Sequence, residues 1–380
     1  MTNFSFGFSL LLVVIYGSIQ MSHSLCCDKI KRLADLKMDA YQVLCKKNSS
    51  LSPDCCDDIK TEVKSYERSY ASLCLNRTDV EFRQFNANFT NLGATGRHGP
   101  TSIGQFYNGQ DHVNMVTVSK GIQYWTVPYT GTYEITAVGA QGGYDKYGST
   151  CRGRGAYMKG DFEINKGEII KILVGQKAPV NTRAYTSGGG GGSFVARINN
   201  VPLLVAGGGG GIESLSKRLD NCDASTKTSG KNNKCVTPCG NWAGGVNGQG
   251  AKQADSGNSG GGGGGFYSNG RSSKQFGGKY GNGGEGGFAF INGGAGGRAK
   301  LNNAVGGFGG GGGAYGSGGG PGGGGGYSGG ASGENVSGSC GGGGGSYNAG
   351  KNQVNKSAFN DKGDGYVIIT RKSETLESQK

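Results

Sequence analysis

The chain has 380 residues, of which 81 are glycine, 7 proline and 11 cysteine, and its net charge at neutral pH is +13. Few prolines and no sustained Gly-X-Y period exclude a collagen triple helix. Of the net charge, +12 lies outside residues 26–92. This charge favours polyanionic partners such as acidic glycans or acidic matrix proteins, or it keeps a glycine-rich protein in solution.

The first 24 residues have the pattern of a secretory signal peptide. An apolar run from Phe4 to Ile15 is too short to span a bilayer, and Ser22-His-Ser24 suits signal peptidase, so we predict cleavage after Ser24. No later run reaches the roughly 18 apolar residues of a membrane helix, and the tail at 372–380 is polar. We therefore expect a secreted, extracellular protein with no membrane span and no nucleic-acid partner.

Residues 25–79 contain an internal repeat of 29 residues. The segment Cys26-Cys-Asp-Lys-Ile-Lys31, ending at Cys45, recurs as Cys55-Cys-Asp-Asp-Ile-Lys60, ending at Cys74. Apolar residues fall at helical spacings within each unit, and residues 46–54 have the composition of a turn. The pattern predicts a small, disulfide-tied α-helical hairpin with antiparallel helices.

In such a hairpin the cysteines meet at the helix ends. Cys26 or Cys27 can reach Cys74, and Cys45 can reach Cys55 or Cys56, which leaves one cysteine of each vicinal pair over. The two remaining cysteines lie at opposite ends of helices about 27 Å long, beyond the roughly 7 Å limit between Cα atoms of a disulfide. Bridges between chains would then give a disulfide-linked homo-oligomer, unless the helix register differs from this arrangement.

Five further cysteines follow the hairpin, and all are disulfide candidates because a secreted chain is oxidised. They are Cys151, Cys222, Cys235, Cys239 and Cys340. Three of them lie in a glycine-poor segment at 213–241, which we interpret as a disulfide-tied surface insertion. A zinc site is the weaker alternative, since the mature chain would keep only two histidines. Because the total is odd, at least one thiol is free or bonded to another chain.

N-glycosylation sequons begin at five asparagines, Asn48, Asn76, Asn88, Asn335 and Asn355. Three of them cluster in the hairpin and in residues 80–92. That segment has no clear period, and we predict it to be the linker between two domains.

Residues 93–371 alternate glycine runs with short strand-like segments. Flexible linker is one interpretation of the runs. Against it, β-branched segments punctuated by turns lie between them, which disordered chains lack. Such segments span 124–128, 133–138, 161–164, 168–174, 193–198 and 201–206. Glycine-only extended helices can bond laterally to one another, and aromatic residues that close several runs can anchor their ends. These residues are Phe194, Phe266, Tyr315, Tyr327 and Tyr347.

Several segments of this region resemble a known family. Gly93-Ala-Thr-Gly-Arg-His-Gly-Pro-Thr101 looks like the start of the glycine-rich extracellular domain of the anaplastic lymphoma kinase and leukocyte tyrosine kinase receptors, and Gly131-Thr-Tyr-Glu-Ile-Thr-Ala-Val-Gly-Ala-Gln-Gly-Gly143 looks like one of its first long strands. The closing Gly363-Asp-Gly-Tyr-Val-Ile-Ile369 keeps the same order. The resemblance covers roughly residues 93–371.

The resemblance implies a mainly β fold, a glycine-rich β-sandwich of tumour-necrosis-factor-like type with packed polyglycine helices. In the receptors the domain binds a protein ligand. Two features depart from the family. Leu92 stands before the Gly-Ala-Thr-Gly motif where the receptors carry a cysteine, and no transmembrane helix or kinase follows. The resemblance therefore transfers the fold better than the receptor function.

Catalytic signatures arise by chance in so glycine-rich a chain. Gly257-Asn-Ser-Gly-Gly261 and Gly326-Tyr-Ser-Gly-Gly330 fit the serine-hydrolase elbow, but neither lies between a strand and a helix. We expect no enzyme activity, cofactor or metal. The predicted role is a structural or adhesive component of matrix, mucus or skeletal organic matrix. The alternative is a soluble signalling protein that binds or mimics ligands of the related receptors.

Overall fold

The computed structural model describes residues 23–47, 53–73, 85–146, 150–254 and 257–372. The chain divides into two compact units, Met1–Arg83 and Gln84–Lys380. The predicted signal peptide lies outside the described residues except for its last two positions, and so does the polar tail beyond Lys372.

The first unit contains two helices, α1 at His23–Tyr41 and α2 at Pro53–Leu73, with a π-helical segment at Gln42–Lys47 after α1. The helices run antiparallel, because Cys45 bonds Cys56 while Lys37, one to two turns earlier, pairs with Glu62 further along α2. The pair Ala34 and Val63 is buried. The repeat therefore forms the two helices that its apolar spacing predicts.

The second unit is mainly β and built from antiparallel sheets. The five-stranded sheet has the order β1-β14-β4-β5-β13, with β1 Asn86–Phe89, β4 Gly131–Val138, β5 Gly155–Ile164, β13 Lys351–Asn360 and β14 Tyr366–Arg371. The six-stranded sheet has the order β12-β8-β7-β6-β3-β2, with β2 Val116–Ser119, β3 Ile122–Thr126, β6 Ile169–Leu173, β7 Ser193–Arg197, β8 Pro202–Ala206 and β12 Tyr347–Asn348. A small sheet joins β9 Ile212–Glu213, β10 Lys234–Cys235 and β11 Ser339–Cys340, and single 3-10 turns occur at Asp220–Cys222, Lys274–Phe276 and Phe290–Asn292.

The two large sheets share one hydrophobic core. Alternate residues of their strands enter it, among them Ile135 from β4, Ile369 from β14 and Ile170 from β6. At its centre the fully buried Trp125 ring stacks on Phe85 at a centroid distance of 5.5 Å. The period-2 pattern of the sequence thus fixes which face of each strand points inward.

The position of β1 differs from the prediction for this part of the chain. The sequence predicts that residues 80–92 are a linker between domains, whereas Asn86–Phe89 pairs antiparallel with β14, with Asn88 opposite Ile368. Phe85, Ala87 and Phe89 alternate into the core, so the segment does carry a two-residue period. The β domain therefore begins before Gly93, and only residues 80–84 of the predicted linker lie outside the described structure.

The glycine runs are ordered by their own backbones. Amide N–H groups of one run donate to carbonyls of another: Gly189 to Gly312 at 2.9 Å and Gly312 to Gly323 at 2.8 Å. Similar bonds join the remaining runs into one network. Its fully buried members are 188–192, 207–211, 261–265, 309–313, 322–326 and 341–345. Buried backbone groups are costly without partners, and here the runs supply partners to each other.

Candidate binding face

The outer face of the six-stranded sheet is half covered by the glycine-rich segments. One row of side chains on this face contains Phe194 of β7 and Val205 of β8, which are opposite each other in register. Phe290 stacks on Phe194 at 5.1 Å, and Phe266 stacks on Phe290 at 4.7 Å. This aromatic cluster attaches the glycine runs to the sheet.

The next rows of the same face are partly exposed: Tyr124 and Lys171 are half-buried, and Tyr124 packs against the edge of the aromatic cluster. Tyr124 of β3 lies opposite Lys171 of β6, and Ile169 is two residues before Lys171 on the same side of the strand. Ile169 is 39% exposed, and Ile198, which directly follows β7, is 49% exposed. We call Tyr124, Ile169, Lys171 and Ile198 the open face.

Lys171 is the charged group of the open face. Its Nζ donates to Asn200 Oδ1 at 2.8 Å, which holds the long side chain in one position. An ammonium group has three protons, so further acceptors can bind it. The open face can therefore bury apolar groups of a partner and accept a carboxylate or sulfate beside them.

A tyrosine stack packs against the aromatic cluster at the β12 edge of the sheet, where Tyr347 is opposite Val205. The rings of Tyr327 and Tyr347 stack at 4.7 Å, and Tyr267 meets Tyr327 edge to face at 6.3 Å. Burial raises the pKa of Tyr327 above its usual value, so its hydroxyl stays neutral at physiological pH. Partly exposed tyrosines of fixed orientation are typical of protein-binding surfaces.

A separate basic depression of about 380 Å³ lies beside the Gly-Arg-His motif and includes Arg97, His98 and Lys177 in its lining. Arg97 already donates to the carbonyl of Gly296 at 2.9 Å and pairs with the buried Glu285 at 3.4 Å. Burial, with the Arg97 charge beside it, lowers the pKa of His98, so this ring is neutral at pH 7. Much of the positive charge here is compensated within the protein.

Within the described part of the chain, three disulfides join six cysteines. Cys45 bonds Cys56, Cys222 bonds Cys340 across a sequence separation of 118, and Cys235 bonds Cys239 across a separation of 4. The segment at 213–241 is thus not an independent insertion, because Cys222 is fully buried and attached to β11. The side chains of Cys26, Cys27 and Cys55, and residue Cys74, lie outside the described structure.

Cys151, one of the disulfide candidates, is a buried free thiol in the structure. It packs in one apolar cluster with Ile212, Leu215 and the Cys222–Cys340 disulfide. Cys222 and Cys340 already bond each other, so Cys151 has no disulfide partner in this cluster. A chain with 11 cysteines must contain at least one cysteine without a partner in the same chain.

The residues of one possible metal site and the serines of the two elbow-like motifs take part in structural contacts. Sulfurs of Cys235 and Cys239 and a carboxylate oxygen of Glu334 lie within 4.8 Å of one another. The disulfide uses both sulfurs, so they do not provide the thiolates that zinc needs. The serines of the two elbow-like motifs are fully buried, and each accepts a structural hydrogen bond: Ser259 from Arg271 at 2.9 Å and Ser328 from the Gly248 amide at 3.0 Å.

The described sequons are accessible. Asn88, Asn335 and Asn355 are all exposed, the first on β1, the second in the loop before β11 and the third on β13. Asn48 and Asn76 lie outside the described residues.

Comparison with known proteins finds similarity over part of this chain. A stretch of 96 residues is 41% identical to the leukocyte tyrosine kinase receptor of Mus musculus and covers 23% of this chain. The chain is distantly related to that receptor family. It spans only 11% of the receptor's length. No protein-family model matches the chain. Among the described residues, no helix is long and apolar enough to cross a membrane.

The sequence predicts the strands that carry the open face, but it does not predict that this face is exposed. Apolar residues occupy both sides of β3 and β6, since Trp125 and Ile170 enter the core while Tyr124 and Ile169 point away from it. That double pattern predicts a strand covered on both sides. Only the structure shows that part of this face is exposed, at Ile169 and Ile198.

Proposed function

We propose that this protein is a secreted, non-enzymatic structural or adhesive component of an extracellular matrix, mucus or skeletal organic matrix. Its glycine-rich unit is the rigid protein-binding domain. The observation that carries the proposal is the open face, a partly apolar, lysine-bearing surface fixed on a fully hydrogen-bonded scaffold.

We further infer that the two large sheets form a tumour-necrosis-factor-like β-sandwich and that the glycine runs form a bundle of extended polyglycine helices. The shared core of the sheets supports the first assignment. Support for the second comes from the lateral bonds between runs, such as Gly324 to Gly342 at 2.9 Å and Gly208 to Gly325 at 2.8 Å. Three-residue-per-turn helices make no internal hydrogen bonds and need such partners.

Rigidity suits a binding role. A surface that is already ordered loses little conformational entropy when a partner binds, so more of the contact energy remains as affinity. Tyr124 supplies a large ring with few rotatable bonds, and such residues are frequent hot spots. Extracellular proteins or acidic glycans are the partners, and Lys171 meets their carboxylates or sulfates.

Retention in a cell-derived matrix tests the role. The full-length chain is expressed in secreting cells, and its amount is compared between the medium and the washed, insoluble matrix. We expect most of it in the matrix and at least a tenfold lower matrix fraction, about 1.4 kcal/mol or more, for a Tyr124→Ala/Lys171→Glu variant. Tyr280→Ala is the matched control, because Tyr280 is 64% exposed but lies outside the open face.

Equal distribution of the parent and the double variant would contradict a binding role for the open face. A parent found entirely in the medium would contradict the structural role itself.

The similarity to the leukocyte tyrosine kinase receptor favours a second candidate, a soluble signalling protein that binds or mimics ligands of such receptors. This candidate predicts a soluble protein in the medium with nanomolar affinity for one protein partner. The same distribution experiment separates the two, because a matrix component is insoluble.

A further inference from the structure

We infer that Asn88 and Asn355 carry N-linked oligosaccharides that shield the two edges of the five-stranded sheet, leaving the open face of the glycine-rich unit as its unglycosylated binding side. The inference rests on the proposed secretion, because the transfer occurs in the secretory pathway. It goes beyond that proposal by assigning two modification sites and two shielded edges.

The sheet order places the two asparagines at opposite edges. In the order β1-β14-β4-β5-β13, Asn88 lies on the first strand and Asn355 on the last. Asn88 is opposite Ile368, and Asn355 is opposite Met158. Asn88 points away from the core, whereas Asn355 shares the face of buried Met158 and its Oδ1 accepts a hydrogen bond from Asn348 Nδ2 of β12 at 2.9 Å. An oligosaccharide at each position therefore covers one edge of the five-stranded sheet, the first from its outer side and the second beside β12. The third described sequon, at Asn335, also lies outside the six-stranded sheet.

The local chemistry permits the modification at both positions. In the transfer, Nδ2 forms a bond to the anomeric carbon of a lipid-diphosphate-linked oligosaccharide, and the bond from that carbon to the diphosphate oxygen breaks. Nδ2 gives up one proton, which the departing lipid diphosphate takes up. One amide proton remains. Asn355 uses a single Nδ2 hydrogen bond, to Gln353 Oε1 at 3.1 Å, so that bond survives the transfer.

Edge strands need protection because their unpaired backbone groups can recruit other strands. On β1, side chains of a neighbouring loop already bind two outward amides: Asn86 N–H donates to Asp111 at 3.0 Å and Thr90 N–H to the Tyr107 hydroxyl at 3.1 Å. Asn88 lies between these two positions. On β13, two register irregularities interrupt the pairing with β5, and the charged Lys351 is exposed. Oligosaccharides at Asn88 and Asn355 add to this protection of the two edge strands.

None of the described sequons lies on the open face. Tyr124, Ile169, Lys171 and Ile198 lie on the outer side of the six-stranded sheet, on β3, on β6 and just after β7. The core separates them from Asn88, and Asn355 lies beside β12, at the edge of that sheet away from β3 and β6. Bulky glycans at the edges of the five-stranded sheet therefore do not block a partner there.

Site occupancy is the first test. The full-length chain secreted by eukaryotic cells is treated with peptide-N-glycosidase in isotopically heavy water, which converts each glycosylated asparagine to labelled aspartate, and is mapped by peptide mass spectrometry. We expect label at Asn88 and Asn355. Label at Asn335 with none at Asn88 and Asn355 would overturn this inference and leave secretion intact, whereas an unsecreted, wholly unlabelled chain would overturn both.

Matrix retention is the second test. An Asn88→Gln/Asn355→Gln variant should keep its matrix fraction within about twofold of the parent, because the lost glycans lie away from the open face. The change Tyr124→Asn creates a new sequon with the existing Thr126 and should reduce the matrix fraction at least about tenfold below that of Tyr124→Gln, which removes the ring without adding a glycan. Loss of retention in the double variant, or equal retention of the two Tyr124 variants, would overturn the assignment of the binding side.

Discussion

Gly311 shows why the glycine runs tolerate no other residue. A Cβ built there overlaps the carbonyl oxygen of Gly189 and lies 2.8 Å from the Gly307 nitrogen. Both contacts are to backbone, which cannot rotate away as a side chain can. The close approach of neighbouring runs, and with it their hydrogen bonds, depends on the missing side chain.

Replacing Gly311 by valine should therefore destabilise the glycine-rich unit by about 3 kcal/mol or more, since overpacking against backbone forces the runs apart. Gly277→Ala is the control. Its Cβ would meet nothing within 4 Å, and only the left-handed φ of +81° adds about 1 kcal/mol of strain. Thermal unfolding of both variants and the parent measures the difference. Similar losses would contradict the packing argument.

Glu213 is a buried acid whose surroundings disfavour its charge. Burial raises its pKa to about 7, and the neighbouring Asp145 carboxylate adds to this effect, although hydrogen bonds from the Gly319 amide and the Ser339 hydroxyl oppose it. An acid whose pKa is higher in the folded than in the unfolded protein binds more protons when folded. The free energy of unfolding therefore falls as the pH rises from about 4.5 to about 7 and then levels off.

Replacing Glu213 by glutamine should remove this slope, on the order of 3 kcal/mol over the interval. Denaturant unfolding of parent and variant at a series of pH values measures it. The buried His112, whose pKa is lowered to about 4 by desolvation, contributes an opposite slope to both proteins and cancels in their difference. Parallel curves from pH 4 to 8 would show that Glu213 keeps an ordinary pKa.

At the scale of elements, the sequence predicted β3 to β8 and β14, which are rich in β-branched and apolar residues, but not β2 or the mostly exposed β13. It missed β1, where Phe85, Ala87 and Phe89 alternate within a sequon-bearing stretch that resembles a loop. It could not predict which glycine run bonds to which, since runs without side chains carry no pattern that distinguishes one partner from another.

The disulfides illustrate the same limit. Spacing indicated the Cys45 end of the hairpin, where Cys56 is the partner, but Cys222 and Cys340 are brought together only by the three-stranded sheet, in which β11 pairs with both β9 and β10. The open face could not be predicted from the sequence either, because its exposure depends on where the glycine runs end.

Loss of the Cys222–Cys340 bond should cost more stability than loss of Cys235–Cys239. In the chain-entropy account, a separation of 118 constrains the unfolded chain by about 5 kcal/mol and a separation of 4 by about 2 kcal/mol. Paired cysteine-to-serine variants, compared by denaturant unfolding, measure both. A larger loss for the short loop would contradict this order.

At the scale of the whole molecule, the hairpin should link chains covalently. Cys56 bonds Cys45. We therefore expect Cys55 to be left over at that end and, with Cys74 paired, one of Cys26 and Cys27 at the other. Two such thiols per chain predict a ladder of oligomers on a non-reducing gel of the secreted protein, and Cys55→Ser should shorten it to dimers. A parent that migrates only as monomer would contradict this expectation.

The central claim is that the glycine runs form a rigid scaffold. Hydrogen exchange measured by mass spectrometry on the full-length protein tests it most directly, because every buried run amide that is bonded to another run opens only when the scaffold opens. Peptides that cover 261–265 and 341–345 should stay protected for as long as the core strand at 131–138, despite having no side chains to bury. Complete exchange of these runs within seconds, while that strand stays protected, would contradict the account.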